Sequence, residues 1–270
     1  MKIYARAALG LLFFVGLGIQ VPASHGTKNR SQCERRFSVG LNNYKPLAYR
    51  ENGRLYGLAH DLIKELEEKT GCEFTEIEMG RPTAAERINN DRVDMLALLV
   101  KSTEYEKGGV FVPFYNSHRE LTVAAKIFAK NKKIEDYLAD ENIKFAYMIG
   151  NRTVISEEEE KTLLKGARLI GTPDPEGAFR LLKEGRVQAL LFSSLVTDYY
   201  IRQMSIDKIH RVADTGRKAE VGFYLSARRV SSAEREMFAH ALAEIKKDGS
   251  FLRIFSKYMS EEQALRRLNN

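Results

Sequence analysis

Hydrophobic residues along this chain recur in short blocks, and the spacing within the blocks alternates between two periods. Phe37–Leu41, Glu73–Met79, Met95–Val100, Phe145–Ile149, Leu169-Ile170 and Ala189–Phe192 are compact runs of strand character. Met95-Leu96-Ala97-Leu98-Leu99-Val100 is apolar without a break, as expected of a strand covered on both faces. Between these runs the period lengthens to that of a helix. Leu58, Leu62, Ile63 and Leu66 share one helical face, and Gly71 is placed to stop it. Ser156 with Glu159 and Ser231 with Glu234 have capping-box spacing, and Asp174-Pro175 gives an N-cap followed by a first-turn proline. These signals predict helices after Ser156, over Pro175–Glu184 and from about Ala233 to Lys247. Strands alternating with helices in this way predict an α/β fold built on mainly parallel sheets.

The first residues break the pattern. Lys2 and Arg6 precede an almost uncharged run from Ala7 to Val21, and Val21-Pro22-Ala23 follows it. The run is short for a membrane span and ends in a cleavage-like triplet, so residues 1–23 are expected to be a signal peptide removed after Ala23. Export to the periplasm is the corresponding expectation. No Cys follows the apolar run directly, which argues against a lipid-anchored form.

Composition narrows the function classes. The formal charge of +7 falls to +5 without Lys2 and Arg6. Lys and Arg are interspersed with Asp and Glu, the pattern of a solvated surface rather than a nucleic-acid stripe, so no nucleic-acid partner is expected. Roughly 245 residues remain after the leader, enough for one two-lobed unit or two small domains. His25, His60, His118, His210 and His240 are scattered without metal-ligand spacing, so neither metal nor cofactor is expected. No Ser–His–Asp order and no glycine-rich nucleotide loop is present.

The two cysteines, Cys33 and Cys72, each stand just before a strand-like run, Phe37–Leu41 and Glu73–Met79. In a parallel βαβ unit both strands start at the same sheet edge, which brings the two residues together. In an exported protein that placement predicts a structural disulfide.

Two distant segments carry a family resemblance. One runs from Phe37–Leu41 through Asn42, Asn43, Tyr44, Lys45 and Pro46 to Gly57-Leu58-Ala59-His60-Asp61-Leu62. The other runs from Val221-Gly222-Phe223-Tyr224-Leu225-Ser226 through a helix to Asp248-Gly249-Ser250 and Phe251-Leu252-Arg253-Ile254-Phe255. In order and spacing they resemble extracellular solute-binding protein family 3, which includes the periplasmic polar amino-acid receptors of ABC importers. The resemblance implies a type II periplasmic binding protein fold, α/β with two lobes. Each lobe would be a mainly parallel sheet flanked by helices, and a two-strand hinge would join them. Lobe I would be residues 32–118 plus 222–262, and lobe II residues 119–221. The hinge strands would lie near Glu120–Ala125 and Val221–Leu225, and 263–270 would be a polar tail, frayed at its end.

Ligands in open α/β sheets collect beyond the carboxyl ends of strands, and the resemblance then names the loops. Tyr44 matches the family's aromatic platform. Arg81 falls where relatives often carry an aromatic, and it is either a bidentate partner for an anion or a solvated surface arginine. After Val100, amino-acid receptors carry Thr-Pro-Glu-Arg, whose arginine forks onto the ligand's α-carboxylate. This chain reads Lys101-Ser102-Thr103-Glu104-Tyr105-Glu106-Lys107, which puts Glu104 or Tyr105 in the arginine's place, with Lys101 as a point charge nearby. Neither Glu104 nor Tyr105 can replace a guanidinium fork. Arg152 and Thr153, in Ile149-Gly150-Asn151-Arg152-Thr153, match a Gly-Thr turn at a helix start suited to a polar or anionic group. Ser193 stands where amino-acid receptors place the aspartate that holds the α-ammonium.

The resulting expectation is an extracytoplasmic protein that captures a small polar solute, other than a standard amino acid, in a cleft that closes about a hinge. Its partners would be that solute and a membrane transporter permease or a sensor, and the protein would be a monomer. Two alternatives are weighed against it. One is a degenerate member that binds a partner protein. The other is a lyase on the same scaffold with Glu104 as acid–base group, although such enzymes also use the arginine that is missing here.

Overall fold

The structure, a computed structural model, describes residues 33–149 and 155–269. The expected leader and the candidates Arg152 and Thr153 lie outside the described residues. In chain order the regular elements are β1 (Phe37–Asn42), β2 (Tyr49–Glu51), β3 (Arg54–Tyr56), α1 (Leu58–Thr70), β4 (Phe74–Met79), α2 (Arg81–Asn89), β5 (Met95–Val100) and β6 (Gly109–Ala124). They continue with α3 (Ile134–Ala139), β7 (Phe145–Met148), α4 (Glu157–Lys165), β8 (Leu169–Thr172), α5 (Pro175–Lys183), β9 (Ala189–Leu190) and α6 (Ser194–Met204). The last are β10 (Ile209–Ser226), α7 (Ser232–Lys247), α8 (Ser250–Phe255) and α9 (Glu261–Leu268).

Among the described residues one sheet has the order β4-β1-β5-β10-β6-β9-β7-β8, and β2 and β3 form a separate hairpin. The outer strands are parallel, with Phe37 opposite Phe74 in β1 and β4, and Phe145 opposite Leu169 in β7 and β8. Between them β6 and β10 run antiparallel through both halves, from Ser226 opposite Gly109 to Ile209 opposite Ala124. β10 pairs with β5 near Val221–Leu225, while β6 pairs with β9 at Thr122 and Val123. The crossing elements are therefore two long strands rather than the short ones the sequence suggests. The polar residues in their middle, from Asn116 to Glu120, carry no strand signal.

Each half-sheet is covered on both faces because side chains alternate along a strand. In the first half, Phe37, Val39 and Met95 pack under α1, α7 and α8, while Leu96 and Leu99 meet Ala84, Ala85 and Ile88 of α2. In the second, Phe145 and Leu163 belong to one core, while Ala146, Phe179 and Val196 belong to another. Cys33 and Cys72 are joined in a disulfide across the edge where β1 and β4 begin, with Cα atoms 5.2 Å apart.

The predicted caps form. The Ser156 and Ser231 side chains accept from the backbone N–H of Glu159 and Glu234, and Gly71 closes α1 with φ 70°. The C-terminal run is a helix rather than a frayed tail. Ser260 caps α9 by accepting from Gln263 N–H, Glu262 pairs with Arg266 one turn on, and Ala264 and Arg267 are buried.

Candidate functional site

A cavity of about 290 Å³ opens beyond the ends of β1 and β5, against the middle of β6 and β10 and the start of α6. Two of the sequence-derived candidates line it, Tyr44 and Ser193. Tyr44 is held by the way its loop caps the start of α1. No side chain caps that helix; its leading N–H groups at Leu58 and Ala59 donate instead to the carbonyls of Pro46 and Leu47. The approach requires Gly57, which has φ 127° and would put a Cβ 2.3 Å from the Leu47 carbonyl oxygen. The turn is closed by Leu47 N–H donating to the Tyr44 carbonyl at 2.8 Å. Tyr44 then packs against cores of both halves. Ser193 is the N-cap of α6, and its side chain makes no capping hydrogen bond.

The other described candidates lie apart from this cavity and largely satisfy one another. Arg81 sits in the first turn of α2, and its Nε and Nη2 donate to one carboxylate oxygen of Glu104 at 3.1 and 2.5 Å. Each thus neutralises the other, so Arg81 is neither a solvated arginine nor an open fork. Tyr105 is 1% exposed and packs its ring, tilted, 5.0 Å from that of Tyr224 in the core beneath α2. Burial, only partly offset by the charge of Arg81, pushes its hydroxyl up to about 12. Lys101 pairs with Glu220 at 3.1 Å on the surface. Asn89 fastens this loop by donating to the Glu104 carbonyl at 2.7 Å and accepting from Gly108 N–H at 3.0 Å.

The rest of the cavity wall comes from residues with no sequence signal of binding. Arg119 projects from β6 and donates to Glu135 of α3 and Glu159 of α4, each at 2.7 Å. Glu159 also receives the Ser156 N–H, which fixes Ser156 at the cavity wall. Burial would raise the Glu159 carboxyl, but the Ser156 N–H and the Arg119 guanidinium hold it below its ordinary value. Lys218 and Arg267 line the same space, and no Asp or Glu does among the described residues. Phe192, Leu195, Val100 and Val221 make the apolar part of the wall. Leu98 reaches it through a bulge: its φ is 55°, and β5 and β10 lose register between Gly222 and Tyr224. Such strain in a non-glycine residue is more common at functional sites than elsewhere. No group of three or more His, Cys, Asp or Glu among the described residues is placed to hold a metal ion.

Two α/β halves, two long strands threading both, and a cavity between them beyond the strand ends define a type II periplasmic binding protein. The chain belongs to the bacterial extracellular solute-binding proteins, family 3, whose model matches residues 38–261. A probable histidine-binding protein of Campylobacter jejuni is 22% identical over 93% of this chain and 97% of its own length. The L-cystine-binding protein TcyA of Bacillus subtilis is 20% identical over 95% and 98%. Among solved structures, the arginine-, lysine-, histidine-binding protein ArtJ of Geobacillus stearothermophilus superposes with a TM-score of 0.67 at 20% identity. That likeness covers 87% of this chain and 100% of ArtJ. The family binds small solutes, and these relatives are named as binding proteins.

Proposed function

We propose that this protein works outside the cytoplasm, capturing a small solute with an anionic group and an apolar or hydroxylated body, and presenting it to a transporter permease or a sensor. In this reading lobe I is 32–118 with 222–262, lobe II is 119–221, and closure occurs about β6 and β10. The observation that carries it is the basic lining of the cavity: Lys218 and Arg267 beside an Arg119 already paired with Glu135 and Glu159, and no carboxylate among the described lining residues. Two relatives carry names that point to amino acids, but a free amino acid also needs a fixed anion for its ammonium. Burying either charge unpaired is costly. Ser193 is neutral where the family's amino-acid receptors have aspartate, and Glu104 is already taken by Arg81. Tyr44, which keeps the family's aromatic, and Ser193, which replaces its aspartate, are the proposed contacts, with Arg152 and Thr153 as further candidates.

Calorimetry across the twenty amino acids and a set of small carboxylates tests this. The expected result is no micromolar binding of an amino acid, and binding of a carboxylate that Tyr44→Ala weakens by about 1–3 kcal/mol. Micromolar binding of a standard amino acid, abolished by Tyr44→Ala, overturns the reading.

A further inference from the structure

Resting on that reading, we infer that α9 supplies the cleft's anion-binding cation, Arg267, in place of the arginine that amino-acid receptors carry after the fifth strand. Arg267 is 5% exposed, and it lines both the 290 Å³ cavity and an adjoining one of about 180 Å³. Its guanidinium donates to the Gln263 carbonyl at 3.0 Å, to the Met259 sulfur at 3.1 Å and to the Ser194 hydroxyl. None of these acceptors is charged, and no carboxylate lies within ion-pair distance of it among the described residues. Arg119 and Arg211, on the two crossing strands, each have carboxylate partners, as does Arg81 of α2. Arg168 is also buried without one, but it donates to the Ile143, Leu138 and Tyr137 carbonyls and lines neither cavity. A guanidinium enclosed with so little compensation is costly unless an anion joins it.

The surroundings agree. His118 lines the same two cavities, and its Nδ1 is buried with no hydrogen-bond partner. Glu120 borders the smaller cavity and is a rival counter-charge that interacts electrostatically with Arg267, but it forms no ion pair with it. Its Oε1 is buried without a hydrogen bond, 3.5 Å from Arg211 Nη1, and Arg211 also pairs with Asp198. Arg267 lies beyond residue 261, where the match to the family's model ends. A ligand class read from the family's own motif therefore omits it. Its position follows from α9: the Ser260 cap and the Glu262–Arg266 pair set the helix, and Ala264 and Arg267 fall on the face turned to the hinge.

The test uses the mature protein with acetate, succinate, citrate, inorganic phosphate and methanesulfonate, each read by melting shift and calorimetry beside acetamide and succinamide. At least one anion should bind, with its uncharged counterpart about tenfold weaker or worse. Arg267→Met should lower that affinity by about tenfold or more, and Arg267→Lys should lose less, since it keeps the charge without the fork. Lys247→Met, an exposed cation on α7, should change nothing. Arg267→Lys remains decisive if Arg267→Met fails to fold. Anion binding unchanged in Arg267→Lys and in any folded Arg267→Met overturns the inference and leaves the anionic-solute reading standing. Binding only of the neutral amides, or of nothing, overturns both.

Discussion

Asp94 shows how single residues hold the first lobe. Its carboxylate is 1% exposed and sits between β1 and the turn after β10. It accepts from Ser38 N–H at 2.8 Å, Ser38 Oγ at 2.6 Å, Arg35 at 3.0 Å and Arg229 at 2.9 Å. Burial alone would raise this carboxyl above its ordinary 3.8, but bonds from Arg229 and Ser38 and the charge of Arg35 hold it below. A carboxyl lower in the folded than in the unfolded state adds stability above its unfolded value. That contribution fades as pH falls through the folded value. Burial opposes the same direction at Glu65, where Ser250 and Arg253 prevail. Melting temperature should therefore fall as pH drops below about 4. Asp94→Asn should cost about 2–3 kcal/mol in urea unfolding at pH 7 and flatten that acid limb. An unchanged limb would remove Asp94 from this role.

At the scale of elements, β10 and the β1–β4 edge make the sharpest expectations. Gly222 sits where β10 shifts register, and a Cβ there would lie 2.1 Å from the Val112 carbonyl oxygen and 2.9 Å from the Phe111 ring. Backbone cannot move aside as a side-chain end can, so Gly222→Ala should destabilise by about 2 kcal/mol or more, read as a lower urea midpoint. The disulfide spans 39 residues. Replacing both Cys33 and Cys72 by Ser should cost about 3–4 kcal/mol on the chain-entropy account. Solute affinity should be unchanged, because neither cysteine lines the cavity. Capping signals were legible in the sequence because each lies within four residues. α2 and α6 were not, since α2 begins Arg81-Pro82 after an uncapped glycine and α6 opens on a serine without a capping bond. Both lean on tertiary packing, α2 under Leu96 and Tyr105 and α6 under Phe179 and Phe192.

For the whole molecule, the leader and the lobes set the remaining expectation. N-terminal sequencing of the exported protein should begin near Ser24; an intact Met1 in that fraction would contradict the cleavage reading. Alternating periods, an unbroken apolar strand and paired cysteines before neighbouring strands were enough to specify α/β layers, most of the central strands and the disulfide. Each of those depends on near neighbours or on a rule linking adjacent strands. The cleft was another matter. The family resemblance pointed to Tyr44 and Ser193, both of which line the cavity. The resemblance also suggested Arg81, Lys101, Glu104 and Tyr105, whose charges and rings are engaged with Glu104, Glu220, Arg81 and Tyr224 respectively. Arg119, Lys218 and Arg267 come from mid-strand positions and a polar C-terminal run. They meet only because β6 and β10 thread both lobes and α9 folds back across them. Local pattern determined which elements form. Which charges the fold pairs off was decided by tertiary contacts that no local pattern shows, from Arg81 with Glu104 to Lys101 with Glu220, 119 positions apart.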